Sequence, residues 1–230
     1  MCAQEKIADI SSESRGTILR RFSVVVVFSI AFAYIEAAVV VYLRTIFHPD
    51  GFGFPLTDFG ISPLWQRLLV TEIGREAATL VLILTGAWLS GRNLRHRFAF
   101  FLTIFGVWDI FYYIWLKVLI DWPASIMDWD ILFLIPASWA GPVIAPVLVS
   151  GTLIVFALVM LLRCCSGRPV RAAFIDWCGF VLAALVVVVS FWVAGRHVRR
   201  PDFQSQFYWP LFGLGYVLGL VLFLKCLLRS

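Results

Sequence analysis

Residues 22–43 read FSVVVVFSIAFAYIEAAVVVYL, and this stretch decides the fold class. Glu36 is its only charged residue. A helix of this length rises by about 33 Å, which matches the roughly 30 Å hydrocarbon core of a bilayer. The run is also longer than the apolar core of about 7 to 15 residues in a secretory signal peptide. The sequence therefore predicts a first transmembrane helix that is retained in the protein.

The composition of the whole chain agrees with this interpretation. Of its 230 residues, 61% are hydrophobic and 14% are charged, whereas about a quarter of a soluble domain is charged. The formal net charge is +5, and the basic residues lie in short clusters at the ends of apolar runs. That placement is typical of membrane topology rather than of a nucleic-acid-binding surface. We therefore expect the lipid bilayer as a partner, and no nucleic acid.

Apolar runs further along the chain predict an all-α, polytopic transmembrane helix bundle of about six spans. Residues 131–162 form the longest run, and as one straight helix it would rise by about 48 Å. Pro136, Pro142 and Pro146 interrupt this run, so we expect a proline-broken or re-entrant segment near residues 131–139, before or within the fourth span. The other spans are expected at about residues 22–43, 68–90, 98–120, 173–194 and 208–228.

Charge and repeat patterns suggest how these spans are organised. Residues 1–21 are polar and basic and are expected to form a cytosolic N-terminal tail, followed by a single transmembrane helical domain over residues 22–230. No internal repeat or linker divides the second region. The bias of basic residues predicts a multi-pass protein of the plasma (inner) membrane with both termini in the cytosol. The basic loop at residues 196–200 departs from this bias, because alternation places it outside.

Ionisable side chains fall inside the first three predicted spans, where each costs about 2.5 to 3.5 kcal/mol on insertion scales. Such residues usually face a protein interior or a water-filled cavity and mark function. Counting along the helices places them together in the outward half of the bilayer. They are Glu36, Glu72, Arg75, Glu76, Asp109 and Lys117.

The spacing of these residues predicts a polar pocket with aromatic walls. Glu72 and Glu76 are four positions apart and share a helix face, and Arg75 lies three positions from Glu72 and can balance its charge. On the third span, two neighbouring stripes follow the helical period. One consists of Asp109, Tyr113 and Lys117, and the other of Trp108, Tyr112 and Trp115.

The chemistry of the side chains suggests a role for each. Three carboxylates are candidates for catalytic proton exchange, namely Glu36, Glu76 and Asp109. The candidate ligand-binding residues are Glu72, Arg75, Tyr112, Tyr113, Trp115 and Lys117, with the two cations placed to engage an anionic group. A structural interpretation stands beside this one, because buried ion pairs can serve only to hold helices in register.

Other kinds of site have little support in the sequence. The histidines are His48, His96 and His197, which lie in loops and never form an i, i+4 pair on a helix. The five cysteines include no CxxC pair. We therefore expect no haem or zinc site and no cofactor. The carboxylates of Glu36, Glu72, Glu76 and Asp109 could hold Mg²⁺, Mn²⁺ or Ca²⁺, but nothing in their spacing requires a metal, so we expect no metal site.

Three functions remain open from the sequence. The leading one is an outward-half, carboxylate-rich and aromatic-lined pocket that binds a small amphipathic or anionic ligand, such as a lipid. The first alternative is an intramembrane enzyme that uses general acid and base carboxylates on a lipid or isoprenoid substrate. The second alternative is a non-catalytic subunit or assembly factor, whose partner would be a membrane complex. The sequence leaves open whether the chain is an enzyme.

Overall fold

The computed structural model describes residues 14–48, 51–54, 63–198 and 207–229, without the side chains of residues 63–65. Within these ranges the chain forms six helices and one two-stranded hairpin. The elements are α1 (Arg15–Phe47), α2 (Pro63–Ser90), α3 (Leu94–Ile120), β1 (Trp129–Phe133), β2 (Trp139–Pro142), α4 (Ile144–Cys165), α5 (Phe174–Gly195) and α6 (Trp209–Leu228). The helical architecture is as predicted, and the hairpin is the departure from an all-α fold.

Five of the helices, α1 and α3 to α6, are long and apolar enough to cross a membrane. This is the architecture of a multi-pass membrane protein. The sixth predicted crossing falls on α2, which carries four charged residues in its first half, namely Arg67, Glu72, Arg75 and Glu76. That crossing stays a prediction.

The first helix begins earlier than expected. It starts at Arg15 rather than near residue 22, because the side chain of Ser14 accepts a hydrogen bond from the Thr17 N–H and caps the helix. Ile18, on the added turn, is 1% exposed and belongs to the main hydrophobic core. Part of the predicted tail is therefore helical, and residues 1–13 lie outside the described ranges.

The proline-rich segment is a β-hairpin, where the sequence predicted only an irregular or re-entrant piece. The strands β1 and β2 pair antiparallel, with Trp129 opposite Pro142 and Phe133 opposite Trp139. Pro136 lies in the connection between the strands, where its missing N–H costs no ladder hydrogen bond. Pro146 lies in the first turn of α4, where backbone N–H groups have no helical partner. Entry of the hairpin into the bilayer stays a prediction.

The helices pack around α3, which contacts α1, α2 and α4, while α5 and α6 pack against each other. The main core lies along α3 and includes Phe100, Ile104 and Trp108. Helices α5 and α6 approach closely at Gly215, where an added Cβ would lie 2.9 Å from the Ala183 carbonyl oxygen. Because β2 packs against α5 and β1 packs against α3 through Phe133, the hairpin lies between the two groups of helices.

Candidate functional site

A cavity of about 140 Å³ lies between α1, α2, α3 and strand β1. Glu36 and Asp109 each lie eleven positions before the C-terminal end of their helix. This part of the cavity therefore lies about 16 Å along the helix axis from the helix ends. Most of the remaining wall is apolar or aromatic. The polar and charged lining residues are Glu36, Arg44, His48, Glu72, Arg75, Glu76, Asp109, Tyr112, Tyr113 and Asp130.

Arg75 connects the two helices on one side of the cavity. Its guanidinium forms ion pairs with Glu36 of α1 and with Glu72 of α2, and its Nε donates to Glu72 Oε2 at 2.9 Å. The Thr79 hydroxyl donates to the second oxygen of Glu36 at 3.2 Å. The predicted pairing of Glu72 with Arg75 at i, i+3 is therefore confirmed, and Glu36 joins it from a second helix.

Glu76 attaches the hairpin to α2. Both of its carboxylate oxygens accept the Leu134 N–H, at 3.0 and 2.9 Å, just after the end of β1. The side chain is buried, with the residue 6% exposed. A carboxylate from a helix thus satisfies a backbone donor that the short strand leaves unpaired.

A second ionic contact holds the start of the hairpin. Arg44 Nη2 donates to Asp130 Oδ1 at 2.9 Å, and the Tyr112 hydroxyl donates to Asp130 Oδ2 at 3.3 Å. The Arg44 guanidinium carbon lies over the rings of Phe52 and Trp122, 4.1 and 3.8 Å from their centroids, in a double cation–π contact. Burial raises the pKa of the Asp130 carboxyl, while Arg44 and the hydrogen bonds oppose that shift.

Asp109 and Trp108 form the α3 side of the cavity. Asp109 accepts a hydrogen bond of 2.8 Å from the Ser150 hydroxyl of α4. Trp108 is 5% exposed and packs against Phe133 of the hairpin, with ring centroids 6.1 Å apart. Within the described part of the chain, the Trp108 Nε1–H has no hydrogen-bond partner.

The structure brings seven of the nine predicted site residues into the cavity lining. They are Glu36, Glu72, Arg75, Glu76, Asp109, Tyr112 and Tyr113. The roles assigned to these residues stay predictions.

The other two predicted residues, Trp115 and Lys117, lie outside the lining. Lys117 is eight positions from Asp109, which turns it about 80° around the helix at 3.6 residues per turn. It is half-exposed and pairs with Asp121 at 2.7 Å. Trp115 faces α1, where its Nε1 donates to the Ile30 carbonyl oxygen at 3.0 Å.

Sequence reasoning missed Arg44, Asp130 and the hairpin residues 131–134, all of which line the cavity. Arg44 directly follows the first predicted span, and Asp130 directly precedes the apolar run of residues 131–162, so neither counted as a charge inside a span. The available signal was Asp130 itself, because an acid directly before the apolar run ILFLI needs a partner when that run is buried.

The arrangement places carboxylates, guanidinium groups and phenol hydroxyls beside aromatic rings around one cavity. In the described ranges, no group of three or more His, Cys, Asp or Glu side chains is arranged to hold a metal ion. Comparison of the chain with protein families, with curated proteins and with solved structures gives no significant match.

Proposed function

We propose that this membrane protein binds a small amphipathic ligand in the cavity between α1, α2, α3 and the hairpin. One observation carries the proposal: charged residues of three helices, α1, α2 and α3, line one shared cavity that also has aromatic walls. The bias of basic residues supports placing the cavity in the outward half of the plasma (inner) membrane, with both termini cytosolic.

The space beside the charges favours this proposal over a purely structural network. If the charges served only to hold helices in register, close packing around them would be expected, since protein interiors have few voids larger than a water molecule. Here Glu36, Arg75 and Glu76 are all engaged with protein partners, and about 140 Å³ remains beside them. Pockets with a few convergent polar groups in an apolar wall are the usual form of small-molecule sites.

The size of the cavity limits what it can enclose. A cavity of about 150 Å³ holds one benzene molecule, so this one accommodates a small molecule or the polar head of a larger amphiphile. Any long apolar chain would extend beyond the cavity, along the exposed apolar helix faces.

A cavity-filling substitution tests the proposal. Val40 lines the cavity from α1, whereas Val27 of the same helix is 66% exposed. We expect Val40→Trp to reduce the bound ligand at least tenfold, because the indole occupies the space that the ligand needs, and Val27→Trp to leave it unchanged. Native mass spectrometry of protein purified in mild detergent measures the bound mass.

Two results would contradict ligand binding. One is a wild-type protein that carries no bound small molecule even after incubation with the polar lipids of its host. The other is a bound mass that Val40→Trp and Val27→Trp retain equally. Co-purification of a membrane protein in place of a small molecule would instead favour the subunit alternative.

The enzyme alternative has one specific observation in its favour. Asp109 lines the cavity together with Trp108 and Tyr113 and accepts a hydrogen bond from the Ser150 hydroxyl. A carboxyl group in such surroundings can act as a general acid. Reconstitution with a polar lipid extract distinguishes the two functions: an enzyme changes the mass of a lipid species and loses this ability on Asp109→Asn, whereas a binding protein leaves all masses unchanged.

A further inference from the structure

The end of the molecule opposite to the cavity brings together the start of α3, the end of α4 and the start of α5. Ile18, Ala99 and Leu161, from three different helices, belong to one buried core at this end. The rings of Phe98 and Trp177 meet edge to face with centroids 5.1 Å apart, which places the first turns of α3 and α5 side by side. In the proposed topology this end faces the cytosol.

A histidine and a cysteine meet at this end. His96 lies in the first turn of α3 and Cys164 in the last turn of α4, and His96 Nε2 is 3.3 Å from Cys164 Sγ, a hydrogen-bond distance for sulfur. The Asn93 side chain accepts the His96 N–H at 2.9 Å, so the helix cap fixes the backbone that carries the imidazole. The histidine is 5% exposed, and the cysteine is half-buried. The imidazole is therefore positioned by the fold against a thiol that remains partly accessible.

A metal ion does not account for this pair. Zinc sites in proteins use three or four side-chain ligands, and within the described ranges no three His, Cys, Asp or Glu side chains are arranged to hold a metal. Cys165 follows Cys164, but neighbouring residues on a helix point about 100° apart, and Cys165 packs against the main core. The contact thus joins one thiol to one imidazole, which is the arrangement of a nucleophile and its general base.

Cationic side chains lie close to the pair along the chain. Arg95 directly precedes His96, and Arg168 lies in the turn that follows α4; both are exposed. Asp176 is the one described acid at this end, and it accepts a hydrogen bond of 2.6 Å from Lys225. Positive surroundings favour the nucleophilic thiolate form of a cysteine and attract anionic reactants.

Large apolar side chains are also exposed at this end. Leu94 begins α3, Phe174 begins α5 and Leu228 ends α6, and they are 73%, 83% and 87% exposed. In a multi-pass membrane protein such side chains contact lipid. A long hydrocarbon chain attached to the thiol would therefore extend into apolar surroundings, where each buried methylene group stabilises it.

We propose that Cys164 is an S-acylation site activated by His96, and that the acyl donor is the thioester of an anionic carrier such as coenzyme A. His96 Nε2 accepts the thiol proton as Cys164 Sγ attacks the acyl carbonyl carbon. A carbon–sulfur bond forms to the protein, and the bond between the acyl carbon and the carrier sulfur breaks. The carrier thiolate leaves and takes the proton from His96, so no oxidant or reductant is needed. The inference does not depend on the ligand proposed for the cavity.

Palmitoyl-coenzyme A is the probe that tests the site. Full-length protein in detergent is incubated with the probe near pH 7, and peptide mass spectrometry measures the acylation of each cysteine over time. We expect Cys164 to be acylated at least tenfold faster than Cys178, although Cys178 is the more exposed thiol, because His96 contacts Cys164. Neutral hydroxylamine should release the acyl group. Equal rates at the two cysteines, or no acylation of Cys164, would refute the proposal.

A histidine variant tests the role of the imidazole. His96→Gln keeps a polar side chain of similar size but removes the proton acceptor, so it should slow acylation of Cys164 at least tenfold and leave Cys178 unchanged. His197→Gln, at an exposed histidine after α5, is the matched control and should change neither rate. Unchanged acylation of Cys164 in His96→Gln would rule out the imidazole as the base. The comparison of the two cysteines in the wild-type protein holds even if His96→Gln does not fold.

Discussion

Replacing Arg75 with methionine is expected to lower the free energy of unfolding by about 3 to 5 kcal/mol, the usual cost of removing one partner from a buried ion pair. The three side chains of this cluster are 10 to 20% exposed. Without the guanidinium, Glu36 and Glu72 would face each other across the helix interface with no cation. Titration with a denaturing detergent, followed by circular dichroism, measures the change.

A matched variant separates this effect from loss of an ordinary surface charge. Arg67 lies two turns earlier on α2 and is exposed, so Arg67→Met should change stability by less than about 0.5 kcal/mol. Adding Glu36→Gln to Arg75→Met should restore part of the stability, because it removes one unpaired carboxylate. If Arg75→Met costs no more than Arg67→Met, the ion-pair cluster does not hold α1 to α2.

The helices could be predicted because length and apolarity act locally. A run of about 20 apolar residues has few alternatives to a spanning helix, since every backbone polar group must be satisfied within the segment. Helix α5 accordingly begins and ends within one residue of the predicted range of 173–194. The contact between Glu72 and Arg75 was equally local, because side chains three positions apart on a helix are neighbours.

The hairpin could not be predicted in the same way. A short apolar run such as residues 131–135 is compatible with a strand or with a buried helix, and periodicity alone does not separate them. What stabilises the strand comes from distant parts of the chain. Glu76 accepts the N–H of Leu134 from 58 positions away, and Arg44 pairs with Asp130 from 86 positions away. No local pattern contains those partners.

The same limit explains the errors in the candidate site. Helical spacing indicated correctly which residues share a face of α2, but over the longer stripe of α3 the angle drifted enough to take Lys117 out of the cavity. Trp115 was assigned to the pocket because helical spacing places it on one stripe with Trp108 and Tyr112. The spacing does not show which neighbouring helix packs against that stripe. That neighbour is α1, which covers Trp115 through Ile30 and Tyr34.

The hairpin is also held by its contact with α5. Besides Glu76 and Arg44, it packs against the end of α5 at Gly195, where an added Cβ would lie 1.8 Å from the Ser138 carbonyl oxygen. A backbone atom this close cannot be avoided by a side-chain rotation. Gly195→Ala should therefore displace the hairpin, lower stability by about 1 to 3 kcal/mol as overpacking does, and reduce bound ligand at least tenfold.

The loss of ligand is expected because β1 forms one wall of the cavity, so a change at α5 acts through the hairpin on residues 131–134. Gly151→Ala in α4 is the matched control: its Cβ would have no atom within 4 Å, and the change should leave ligand binding intact and alter stability by at most about 1 kcal/mol. Native mass spectrometry and detergent titration measure both quantities. If Gly195→Ala destabilises the protein and ligand binding persists, the hairpin stabilises the fold without contributing to the ligand site, and the ligand is held by α1, α2 and α3 alone.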